Sequence, residues 1–189
     1  MNIKTNNIEE NLITTCYYDR NPENIEGLFT IRTIDKVSNK VVKEITKLSA
    51  RSGQRGETKS SWKRGSSPIP WTQESKVTYI QSFINEFPKE YWLWLRDVKQ
   101  KGQWAGKTGI GEFRAISTSK TDPGTIVSPT KPHLVRKYVG LHPENNYFGS
   151  LGCIVLLSDT EEQKNRVLAL RQYLEELAKT QKHIRLVVI

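Results

Sequence analysis

The chain has 189 residues, 36% of them hydrophobic, with five Trp, seven Tyr and five Phe. That is enough apolar material for one sizeable core, and it excludes a chain disordered throughout. Lys and Arg outnumber Asp and Glu 29 to 20, a net charge of +9, which favours polyanions, whether nucleic acid, an anionic membrane or an acidic cell-wall polymer, without choosing among them.

Residues 1–26 mix Asn, Glu and Thr with a few apolar side chains, Ile8, Leu12, Ile13, Cys16, Tyr17 and Tyr18. They read as an N-terminal segment with a short helix or strand that docks late onto a main domain over 27–189. No apolar signal-like run opens the chain, and no stretch is long enough to span a membrane. The expectation is a soluble chain of open location: cytoplasmic, phage-released or the mature form of an exported protein. Two β-branched runs, 28–35 and 41–48, flank the polar pair Ser38-Asn39 and predict a hairpin. Between positions 51 and 70 lie Arg51, Arg55, Lys59, Lys63 and Arg64 among glycines and serines. This is either a basic flap for substrate or phosphate, or a solvated loop.

Thr72 is placed to cap a helix over 73–86 with Val77, Ile80, Ile84 and Phe87 on one face, ended by Pro88. Residues 91–98 read as a strand with aromatics on alternating faces, which suits a core better than a base-stacking platform. Gly106-Lys107-Thr108 lacks the full spacing of a phosphate-binding loop. Further strands are expected over 112–117, 135–141 and 153–157. On the second of these, Arg136 and Tyr138 share the parity of His142, which places all three on one face of a regular strand. Ser158 or Asp159 caps a helix with Val167, Leu168, Leu170, Leu174 and Leu177 inward and Lys179 and Lys182 at its C-terminal end. An apolar strand over 184–189 closes the chain. The class is α+β: a β-rich mixed or antiparallel sheet or sandwich with two helices packed on it.

The chemistry concentrates between His142 and Cys153, which meet either at the mouth of one hairpin or between neighbouring strands. A thiol attacks as thiolate, and a nearby imidazole supplies the base that makes one. Gly152 lets the backbone turn tightly and aim the Gly152 and Cys153 amides at a developing oxyanion. Ser150 is a candidate orienter for His142, and Arg136, Tyr138, Asn145 and Asn146 are candidate substrate contacts. Nothing in the contexts of Cys16 and Cys153 forces a disulfide. His133, His142 and Cys153 lack the paired spacing of a zinc site, so neither metal nor cofactor is expected.

His142 followed by Ser150-Leu151-Gly152-Cys153-Ile154 resembles the signature of the L,D-transpeptidase (YkuD-type) catalytic domain, a histidine followed at some distance by Ser/Thr-His-Gly-Cys and an aliphatic residue. Leu151 stands where that family usually has a second histidine, Val155 where it often has an arginine, and the segment between His142 and Cys153 is shorter than usual. Ser49-Ala50-Arg51-Ser52-Gly53 and Ser67-Pro68-Ile69-Pro70 look like the family's Ser-Gly turn and Pro-rich entry into the next strand. The resemblance implies a sandwich of the L,D-transpeptidase type and a cysteine acyl-transferase, transpeptidase or peptidase, acting on peptidoglycan stem peptides. Cys153 would be its nucleophile and His142 its base, with Arg136 a candidate to replace the missing arginine on a substrate carboxylate. The rival from another class is a non-catalytic binding or virion-type structural protein on the same scaffold, gripping nucleic acid or another polyanion. The residues give no indication of oligomeric state.

Overall fold

The computed structural model describes residues 11–23, 26–53, 62, 67–96, 114–143 and 153–189, with Tyr79 described by its backbone alone. Alternating apolar residues along the strands close into one barrel. In chain order its strands are β1 (Leu12–Arg20), β2 (Glu26–Asp35), β3 (Val41–Ser52), β4 (Tyr91–Trp94), β5 (Arg114–Ser117), β8 (Gly140–Pro143), β9 (Ile154–Leu156) and β10 (His183–Val188). Around the barrel they run β1-β10-β4-β5-β8-β9-β3-β2, while β6 (Ile126–Val127) and β7 (Val135–Arg136) form a separate two-stranded ribbon. The β1/β10 and β8/β9 junctions are parallel and the rest antiparallel. The expected β-rich α+β class therefore holds, but the sheet is closed rather than open, which removes its edges.

The expected hairpin is β2–β3. The N-terminal stretch, expected as a short helix or strand, holds the strand β1, which sits between β2 and β10 with Cys16 and Tyr18 fully buried. β1, before the boundary expected near residue 26, and β2, from Glu26, pair in one sheet. Period-two alternation decides what faces inward. Thr14, Cys16, Tyr18 and Arg20 of β1 meet Thr33, Ile31, Phe29 and Gly27 of β2, and Leu141 of β8 meets Ile154 of β9, all on the inner side.

The helix α1 (Glu161–Leu177) lies along β3, where Arg166 donates to the Thr46 carbonyl and Lys43 pairs with Glu176. Its cap is Thr160, one residue beyond the expected positions, in a reciprocal capping box with Gln163. Val167, Leu170, Tyr173 and Leu174 are its buried residues, whereas Leu168, expected inward, is exposed. The Tyr173 hydroxyl meets Thr33 Oγ1, which in turn bonds Thr14 Oγ1 at 2.8 Å.

The helix expected over 73–86 is a 3-10 segment, Thr78–Glu86, kinked at Phe83. Thr72 does not cap it; its hydroxyl donates to the Val188 carbonyl. Among the described residues no helix is long and apolar enough to cross a membrane.

The Pro-rich segment 67–71 crosses to the core without pairing as a strand, so its polar groups need other partners. Pro68 and Pro70 carry no N–H, and the Ile69 N–H donates to Ser52 Oγ at 2.8 Å. The carbonyls of Ser67 and Pro68 accept from Arg136, that of Ile69 from Arg20, and that of Pro70 from the Tyr91 hydroxyl. Arg20 also lies over the Trp71 ring, 3.4 Å from its centroid.

Candidate active site

The strand expected over 135–141 is interrupted. Val135 and Arg136 pair with β6 in the small ribbon, and β8 starts only at Gly140. Between them Tyr138 takes a left-handed φ of 61°, a conformation costly for a residue with a Cβ and found where the chain must turn for a local reason. The shared parity of Arg136, Tyr138 and His142 is broken there. Arg136 is 2% exposed, with both terminal nitrogens on the Ser67 and Pro68 carbonyls at 3.0 and 2.9 Å. It is a buried pin for the Pro-rich segment rather than a surface cation for a substrate carboxylate. Tyr138 is 54% exposed.

β8 and β9 are parallel neighbours, not the arms of a hairpin, with His142 beside Val155. Paired residues of a ladder point to one side, so His142 and Val155 share a face, and Leu141, Pro143, Ile154 and Leu156 share the other; Cys153 directly precedes β9. The second set is the core side. His142 is thus on the side away from the core cluster, although it also lines the cavity beneath α1, and Cys153 comes two residues before its partner Val155, diagonal to it and roughly 8 Å away at Cα by strand spacing and rise. The two cysteines separate on this criterion. Cys16 belongs to the hydrophobic core cluster; Cys153 does not, although only 7% of it is exposed.

The His142 ring is fixed by its neighbour: Nδ1 lies 2.8 Å from the Pro143 carbonyl oxygen. A carbonyl only accepts, so Nδ1 carries the proton and Nε2 the lone pair, the tautomer a general base needs. Burial lowers the His142 pKa from its ordinary 6.5, and the Pro143 bond opposes that shift. The imidazole is therefore neutral at pH 7.

The Cys153 thiol donates to the Tyr138 carbonyl at 3.4 Å. Burial pushes its pKa up to about 11, while the Gly140 amide bonded to the sulfur and the Arg136 guanidinium pull it back. The sequence predicts a thiol activated downward by imidazole; in the folded chain desolvation wins, and the thiol and the imidazole both rest neutral.

The chain matches no family model, no curated protein and no solved structure.

Ser150, Gly152, Asn145 and Asn146 lie outside the described residues, as does most of the basic stretch 51–64. The Pro143 carbonyl orients His142, and the Tyr138 carbonyl holds the thiol; both are main-chain oxygens without a side-chain signature in the sequence. Gly140 had a legible signal, since a glycine within a strand marks close approach of another group. Among the described residues no group of three or more His, Cys, Asp or Glu is arranged to hold a metal, and both cysteines are free thiols. His133 is exposed.

A cavity of about 30 Å³ beneath α1 has His142, Arg114, Leu141, Leu156, Val167 and Leu170 among its lining residues, and it holds about one water. A cleft of about 860 Å³ is bordered by Asp19, Glu23, Glu26 and Asp159. Trp92 and Trp94, on the outer face, are already engaged: Lys120 lies over the Trp92 ring at 3.8 Å, and Trp94 Nε1 donates to Ser117 Oγ at 3.0 Å.

Proposed function

We propose that this protein is a cysteine-dependent acyl-transfer enzyme with Cys153 as nucleophile and His142 as base, acting on peptide amides of the peptidoglycan stem. The observation that carries this reading is the placement of His142 on β8 diagonal to Cys153 at the start of the neighbouring parallel strand β9, with the imidazole proton committed to the Pro143 carbonyl. A cysteine that served only as core filler would sit inward, as Cys16 does.

Because both groups rest neutral, the proton moves with the attack. His142 Nε2 takes the thiol proton as the Cys153 sulfur bonds to the carbonyl carbon, and the carbonyl electron pair moves onto oxygen. The Cys153 amide, with that of Gly152, is the assigned oxyanion donor. Collapse of the tetrahedral species expels the amine, which takes the proton from the imidazolium and leaves a thioester on Cys153. Water then gives hydrolysis, whereas an amine of a second stem peptide gives a cross-link. The peptidoglycan assignment and the sandwich-type kinship rest on the signature-like residues His142, Ser150, Gly152 and Cys153.

The test is incubation with purified sacculi and mass analysis of released or cross-linked muropeptides. Product formation is expected with the wild type, none with Cys153→Ala, and about a hundredfold less with His142→Ala. Unchanged muropeptides with the wild type would remove the peptidoglycan assignment.

A second reading is favoured by the thiol raised to about 11 and the net charge of +9: a non-catalytic module on the same scaffold that binds nucleic acid or another polyanion. Such binding falls steeply with ionic strength and is indifferent to Cys153→Ala, so a salt titration of both proteins separates the two readings.

A further inference from the structure

The β2–β3 hairpin ends in nine successive exposed residues, 36–44. Three are aliphatic: Val37 is 79% exposed, Val41 52% and Val42 59%. The pairing of β3 with β2 shifts by one residue between Thr33 and Ile34, which leaves Val42 as the extra residue of a bulge between Val41 and Lys43. Aliphatic side chains exposed together at one turn form an apolar patch of the kind that marks an interaction surface.

The charges at the tip are mainly basic. Lys36, Lys40 and Lys43 flank the three valines. The acidic groups nearby are already committed: Asp35 Oδ1 accepts from the Val37 and Ser38 amides and shapes the turn, and Glu44 pairs with Arg32 at 2.5 Å. Lys43 is held on α1, paired with Glu176 at 3.4 Å and lying over the Tyr173 ring at 3.8 Å.

We propose that this tip is a docking site for an anionic lipid surface, with Val37, Val41 and Val42 entering the headgroup layer and Lys36 and Lys40 meeting lipid phosphates. An apolar tip ringed by cations matches both layers of such a surface, its apolar boundary and its negative potential. A nucleic acid would match the lysines and leave the valines in water. The inference is independent of the reading of Cys153.

The test is flotation of the full chain with vesicles of phosphatidylcholine alone and of phosphatidylcholine with about one-third phosphatidylglycerol. Binding is expected to the second kind only. Lys36→Gln with Lys40→Gln weakens it about thirtyfold, and Val37→Glu with Val42→Glu by at least about tenfold. Both pairs lie at exposed positions, and unchanged thermal unfolding confirms that the variants fold. Absence of binding by the wild type overturns the proposal. Full retention by the Val37→Glu, Val42→Glu protein does so too, since the attraction would then come from general surface charge.

Discussion

Arg136 holds the Pro68 carbonyl at 2.9 Å from a position 68 residues further along the chain. With its second bond to Ser67, it ties the Pro-rich segment to the ribbon that leads into the Cys153 site. Arg136→Met leaves two carbonyls short of a donor and should cost about 2–4 kcal/mol in chemical denaturation, because unsatisfied buried polar groups keep their desolvation penalty. Arg136→Lys, able to serve one of them, should lose about half as much. A Met variant as stable as the wild type would show that the pin is dispensable.

Gly27 faces Arg20 across the β1–β2 ladder, where a Cβ would come 2.3 Å from the Asp19 carbonyl oxygen. That neighbour is backbone and cannot swing aside. Gly27→Ala is therefore expected to destabilise the fold by upwards of about 2 kcal/mol, or to abolish soluble expression. A melting temperature within a degree or so of wild type, on the size scaling of thermal unfolding, would mean the two strands have room to separate.

Thr160 caps α1 through the Gln163 amide, and the Gln163 side chain returns the bond. Thr160→Ala should lower stability by about 1 kcal/mol, and Thr160→Asp should restore most of it. The denaturation midpoint reads both changes.

Stability should form a plateau in pH. His142 titrates lower in the folded chain than its ordinary 6.5, so as the pH falls below 6.5 the unfolded chain takes up its proton first and stability drops. Cys16 and Cys153 titrate above their ordinary 9.0 when folded, Cys153 at about 11. Above pH 9 the unfolded chain releases these protons first, and stability drops again. Denaturation curves across that range test both limbs, and Cys16→Ala should flatten the alkaline one. Stability that climbs steadily past pH 9 would contradict the burial of both thiols.

Alkylation by iodoacetamide reads the site directly. Cys153 should react faster than Cys16, which is wholly inside the core, and its rate should climb roughly tenfold per pH unit towards its raised pKa. His142→Ala should slow the reaction at neutral pH. Equal, slow labelling of both thiols would leave the proposed nucleophile without support.

Much of the local structure was legible in the residues themselves. The β2–β3 hairpin, β10 and the helix after position 160 follow from β-branched runs and helical spacing, both short-range signals. Thr160 displaced Ser158 and Asp159 as the cap because the reciprocal bond to Gln163 requires a spacing of three. The 3-10 form of 78–86 was not legible, since helical periodicity does not separate the two helix types over so short a segment.

By itself, then, the sequence determined the β2–β3 hairpin, the last strand and the helix before it, and that a histidine and a cysteine lie close together in the chain. Only the tertiary structure decided that β8 and β9 run parallel, that the His142 face is the one away from the core cluster, that Tyr138 breaks the strand and turns Arg136 inward, and that burial raises the thiol. The reason is one of range: alternation fixes side-chain direction along a chain, whereas strand neighbours, strand breaks and desolvation depend on segments far apart in sequence that meet only when the barrel closes.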